Sequence, residues 1–142
     1  MKPTRALGLF LLLFSAAALA GPLDEAKIRE RIEAIAAGNT DALMRDYDGA
    51  AVMQWVGGKF DGVYRGAGEL RKLWDDFRAF QGPMKLTVGE VVSHGNPNGV
   101  TVLAKARYLG KLDVRVQHAF VLRDGKVVLE VWQIDPRIQL GD

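Results

Sequence analysis

Apolar side chains in the first half of the chain recur at intervals of three and four. Leu23, Ala26, Ile28, Ile32, Ile35 and Ala36 alternate with charged residues, which predicts an amphipathic helix over 23–37, stopped by Gly38-Asn39. Asn39 or Thr40 can cap a second, short helix that buries Leu43, Met44 and Tyr47 and ends at Gly49. Residues 51–56 read as a strand broken by Gly57-Gly58, and 59–65 as an irregular or short extended segment. A third helix, 67–80, carries Leu70, Leu73, Trp74, Phe77 and Phe80 along one side. After Gly82-Pro83 the period falls to two, giving strands at 84–93, 100–109, 112–123 and 126–135. Asn96-Pro97-Asn98-Gly99, Gly110 and Asp124-Gly125 supply the turns between them. Three helices, an early strand and an antiparallel meander define an α+β domain with its helices on one face of a curved sheet.

Composition and charge narrow the function. A chain of 142 residues makes one domain of ordinary size, and its lack of cysteine excludes disulfides, a thiol nucleophile and a thiolate zinc site. Residues 1–20 carry Lys2 and Arg5, an apolar run from Ala6 to Phe14, and Ala18-Leu19-Ala20. This predicts a secretory signal cleaved after Ala20, since the run is short for a membrane span. The mature domain, 21–142, is then exported to a periplasm or the medium, with no stable membrane insertion after cleavage. Two of the 19 basic residues and none of the 17 acidic ones lie in the signal, so the mature chain has 17 of each. No basic stripe remains to neutralise phosphates, which argues against nucleic acid as a partner.

On the strand over 112–122, Leu112, Val114, Val116, His118, Phe120 and Leu122 share one face, with His118 its single titratable group. Imidazole titrates near ~6.5 and serves as acid, base or donor in a dry pocket, or as a core side chain satisfied by one neighbour. His94 lies in a turn, far from His118, and no carboxylate spacing suggests a metal site. On the last strand Val128, Glu130, Trp132 and Ile134 oppose Val127, Leu129, Val131 and Gln133. A two-residue turn and a bulged turn would bring opposite sets beside His118, so the hairpin alone leaves the choice open. With Glu130 inward, it can pair with His118 across the hairpin.

The order of these elements resembles the nuclear transport factor 2-like superfamily, and within it the SnoaL-like proteins, over most of 28–135. The resemblance is carried by the first-helix exit with the second helix (Ile32 to Leu43), by Gly66 opening the third helix, and by the closing hairpin from His118 to Val127 that leads to Asp135. It implies a cone: three N-terminal helices packed on the concave face of a curved antiparallel sheet, around a pocket. It also turns Val128, Glu130, Trp132 and Ile134 inward. The outward set is then largely apolar, which fits a homodimer through the sheet. Compared with the ketosteroid isomerases of this superfamily, an ungapped match puts Trp55 at their aspartate base, Arg31 at their oxyanion-hole tyrosine, Trp74 at a supporting tyrosine and His118 at their protonated aspartate. Indole is neither base nor acid, so that proton transfer is lost here.

Three readings follow. The first is an exported binding protein holding a small apolar or aromatic molecule among Arg31, Trp55, Trp74, Phe77 and Trp132, because tryptophan is costly as mere filler when its N–H needs a partner. The second is a SnoaL-like isomerase, cyclase, dehydratase or hydrolase using His118 as acid–base group with Glu130 or Arg31 assisting. The third is a dimeric interaction module with a filled cone. No cofactor is called for. Asp61 and Tyr64, in the segment over the cone mouth, are secondary site candidates.

Overall fold

The computed structural model describes residues 21–141, so the signal expected over 1–20 lies outside the described residues. The elements run α1 (Pro22–Ala36), α2 (Thr40–Asp46), β1 (Tyr47–Val56), β2 (Gly62–Arg65), α3 (Gly66–Gln81), β3 (Lys85–Asn96), β4 (Gly99–Leu109), β5 (Asp113–Arg123) and β6 (Lys126–Ile134). Among the described residues no helix is long and apolar enough to cross a membrane. The α1 stripe is Ile28, Arg31, Ile32 and Ile35, all buried, while Leu23 is 81% exposed and stands outside it. Gly38 leaves α1 at φ 66, and a Cβ there would lie 2.6 Å from Arg78 Cδ of α3. The positive φ favours glycine at that turn, while the exposed Arg78 side chain can move aside for a Cβ. Asn39 caps α2 by accepting from Ala42 N at 3.1 Å.

The six strands form one sheet in the order β2-β1-β6-β5-β4-β3. Every neighbouring pair is antiparallel except β1 and β6, which run parallel with Trp55 beside Trp132. The sheet is therefore mixed, not wholly antiparallel as the meander suggests. The helices cover its concave face and the core lies between, dominated by Trp55, Trp74, Trp132, Phe77, Tyr108 and Phe120. The second helix is also shorter than its sequence pattern suggests. It ends at Asp46, and β1 takes over at Tyr47, which the 7% exposed ring anchors in the core.

The closing hairpin combines both turn types. Arg123 pairs with Lys126 across Asp124 (φ 49) and Gly125 (φ 72), a two-residue turn with both φ positive. One step in, Leu122 faces Val127 while Val121 faces Leu129, so Val128 is the extra residue of a bulge. Val127 is consequently buried in place of Val128, a correction to the expected inward set. Beyond the bulge, Glu130 and Trp132 do turn inward, both 0% exposed.

The outer face of the sheet divides in two. One half presents Leu103, Ala119, Val121, Leu129 and Val131 in adjacent rows. The other is crossed by the segment after β6: Arg115 Nη1 donates to Ile138 O at 3.0 Å, and Leu140 sits over Gly89. A Cβ at Gly89 would meet Leu140 Cδ2 at 3.3 Å, so the glycine of the β3 bulge leaves the room that leucine fills.

Candidate functional site

The deep end of the cone holds a buried polar network. Arg31 projects from the α1 stripe and donates through Nη2 to Glu130 Oε2 at 2.9 Å, with both side chains fully buried. Its Nη1 donates to Leu43 O at 2.9 Å and reaches the half-buried Asp46 at 3.5 Å. Tyr47 OH donates to the same Glu130 oxygen, Trp132 Nε1 donates to Oε1 at 3.0 Å, and Trp74 Nε1 donates to Tyr47 OH at 3.0 Å. The Arg31 guanidinium lies 4.2 Å from the Tyr47 ring centroid. Burial pulls the Arg31 pKa down, but the charge and hydrogen bond of Glu130, with Tyr47 and Asp46 adding, together outweigh it and the net shift is upward. Burial, with Glu130 adding, holds the Tyr47 hydroxyl well above its ordinary value. Two of the three tryptophan indoles thus satisfy their N–H on this network, which accounts for them as architecture.

His118 stands apart from Glu130, contrary to the expected pairing. The register puts His118 opposite Trp132 and Phe120 opposite Glu130, so the two groups share a face without meeting. His118 Nε2 shares a 3.1 Å hydrogen bond with Tyr108 OH, and among the described residues Nδ1 has no partner. Its ring packs edge-on to Trp132 at 4.7 Å and stacks on Phe120 at 5.3 Å. Burial, with the nearby positive charge of Arg31, pulls its pKa from 6.5 down to about 3. The imidazole is therefore neutral at pH 7, fully buried, and absent from the lining of the cone mouth.

A pH dependence follows from that shift. Folded His118 refuses a proton that the unfolded chain accepts below 6.5, so its stabilisation is complete above that pH and drains as the pH falls toward 3. The slope is about 1.4 kcal/mol per pH unit, or about 2 kcal/mol between pH 6.5 and 5. Urea unfolding at pH 7.5 and pH 5 should register that loss, and His118→Gln should remove most of it. An equal loss in the variant would assign the acid sensitivity elsewhere.

The mouth of the cone is open. A depression of about 190 Å³ is lined by Trp55, Phe60, Phe77, Phe80, Leu112, Val114 and Ile134, with Lys59, Gln81 and Asp113 as its polar groups. Phe60 comes from the loop after Gly57-Gly58 and packs at 5.4 Å from Trp55, 5.6 Å from Phe77 and 5.8 Å from Phe80. That loop is pinned by Asp61, which accepts from Gly57 N at 2.7 Å, and by Tyr64 OH, which donates to Phe60 O at 2.7 Å. Gln81 fixes the opposite rim: Nε2 donates to Leu112 O at 3.1 Å and Oε1 accepts from Leu112 N at 2.9 Å.

The sequence-predicted residues fall into two groups. Trp55 and Phe77 line the mouth, while Arg31, Trp74, Trp132, Glu130 and His118 lie behind them in the packed interior. Trp132 stacks on Trp55 at 4.4 Å and on Tyr108 at 5.2 Å, closing the passage between. Sequence reasoning missed Phe60, Tyr47, Tyr108 and Gln81 as site residues. Gln81 could have been found, since it continues the Trp74 and Phe77 stripe of the third helix at i+7 and i+4. Among the described residues no group of three His, Asp or Glu side chains is placed to hold a metal ion.

A mixed curved sheet closed by three helices, with its opening ringed by aromatics, is the cone of the nuclear transport factor 2-like proteins. Within that class the SnoaL-like domain family matches residues 28–130, and the chain belongs to this family. Comparison with curated proteins found no significant match. Solved structures share the fold at low identity. A nuclear transport factor 2-like protein of unknown function from Burkholderia xenovorans is 21% identical with a TM-score of 0.61, covering 83% of this chain and 90% of its own. A Nostoc punctiforme protein of unknown function with a cystatin-like fold is 17% identical at TM-score 0.65, covering 83% and 96%. A candidate polyketide cyclase from Sinorhizobium meliloti is 19% identical at TM-score 0.58, covering 75% and 92%.

Proposed function

We propose that this chain is an exported binding protein that seats a small apolar or aromatic molecule in the mouth of the cone. The observation that carries the reading is the rim of Trp55, Phe60, Phe77 and Phe80 around a depression of about 190 Å³. That volume suits a single ring with a short substituent, given that a dry cavity of about 150 Å³ holds benzene. The neutral, enclosed His118 supports a structural role for that side chain, because an acid–base group must come within reach of its substrate. Export is inferred from the pattern of 1–20. The apolar half of the outer sheet face, with Leu103 44% exposed, supports a second copy of this chain as its cover in a two-fold dimer.

Native mass spectrometry of protein purified from the exported fraction of its own cells tests these elements together. The expected spectrum is a dimer of chains that begin at Gly21, carrying a small-molecule adduct that Phe60→Ala weakens. Full-length monomers, free of adduct and unable to bind added indole, would overturn the reading.

A further inference from the structure

Two lysines stand at the mouth beside its single lining carboxylate, Asp113. Lys59, in the loop after β1, and Lys111, in the turn between β4 and β5, both bring their ammonium groups to Phe80, 5.0 and 4.8 Å from its ring centroid. They therefore stand within about 10 Å of each other, Lys59 in the lining of the depression and Lys111 beside it at Phe80. Among the described residues neither ammonium group takes part in a salt bridge. The acidic groups nearby are committed elsewhere. Asp113 is held by Arg107 through two hydrogen bonds of 2.7 and 2.9 Å and approached by Arg115 at 3.6 Å, while Asp61 accepts from its own loop.

Two like charges within about 10 Å repel each other at the edge of a low-dielectric wall, and at no more than about one Debye length (~8–10 Å at 0.1–0.15 M salt) screening removes only part of that repulsion. An anion close to both ammonium groups relieves that repulsion. Resting on the proposed function above, we infer that the ligand is a small organic anion. Its apolar or aromatic body lies against Trp55, Phe60 and Phe77, and its carboxylate-type head lies at Lys59 and Lys111. Lysine suits this task because its compact ammonium on a flexible stem can follow the head group without a fixed bidentate geometry.

A matched pair of probes separates this inference from the reading it rests on. 3-Phenylpropionate and 3-phenylpropanol share one apolar body and differ in charge. Titrated into the full chain by calorimetry at low salt, the acid should bind about tenfold more tightly than the alcohol. The double variant Lys59→Gln/Lys111→Gln changes only exposed side chains, so it should fold and bind the two probes within about twofold of each other. Raising sodium chloride to 0.5 M should compress the preference in the unmodified protein. If the alcohol binds as well as the acid, or the double variant keeps the preference, the anion inference fails while the aromatic site stands. If neither probe binds, both fail.

Discussion

Glu130→Gln should cost the fold about 3–5 kcal/mol, the toll for leaving a buried charge without its partner. Arg31 and Glu130 have no exposed side-chain surface, so water cannot replace the lost carboxylate. Asp46 stands 3.5 Å from Arg31 Nη1 and is itself partly solvated, a weak substitute for a fully buried carboxylate at 2.9 Å. Glutamine would retain one acceptor but carry an amide where three donors converge: Arg31 Nη2, Tyr47 OH and Trp132 Nε1. At least one of them would lose its partner, at a further ~1–3 kcal/mol. The double replacement Arg31→Met/Glu130→Leu should lose less than Glu130→Gln alone, because it removes both charges together. Urea unfolding at pH 7.5 measures all three proteins. A loss below about 1 kcal/mol for Glu130→Gln would mean that Arg31 keeps its charge satisfied without the carboxylate.

The elements of this fold were legible from the sequence wherever local chemistry decides them. Gly38-Asn39, Asp124-Gly125 and the switch from period three-and-four to period two each mark a boundary that backbone sterics and side-chain direction enforce. Pairing over long sequence separation was not legible. Nothing in 51–56 says that it lies parallel to 126–134, since parallel neighbours are chosen by the packing of the whole sheet. The bulge at Val128 was equally hidden, because Val127, Val128 and Leu129 offer three apolar side chains from which either alternation can be drawn. The candidate site divides the same way. Phe77 was found by its place on the apolar side of the third helix, and Trp55 by its size and by the resemblance to the ketosteroid isomerases. Phe60 was missed because a phenylalanine in an irregular loop carries no periodicity to say which way it points. Arg31 sits three residues after Ile28 and four before Ile35, so its burial was readable from the helix alone. Its partner could be named only once the last strand had its register.

Trp132→Ala should open the interior of the cone and destabilise it by about 3–5 kcal/mol, the range for truncating a large buried aromatic. Trp132 is the common neighbour of the inner wall, stacked on Trp55 and Tyr108 and edge-on to Trp74 at 5.3 Å, Phe77 at 5.7 Å and His118 at 4.7 Å. No single neighbour can swing into the vacated space without leaving its own contacts, so collapse will be partial and a cavity will remain. That cavity would adjoin the mouth, because Trp55 and Phe77 face both the depression and Trp132. Added indole should therefore enter and refill it, restoring the N–H donor to Glu130 as well as the lost apolar contact. At one hundred times its dissociation constant a ligand returns about 2.7 kcal/mol, so indole should raise the melting temperature of Trp132→Ala well beyond its effect on the unmodified protein. A variant that loses this stability yet gains nothing from indole would show that the wall had closed over the gap. Rescue would instead identify Trp132 as the side chain that limits how deep a ligand can reach, and His118 would then lie within reach of a bound molecule for the first time.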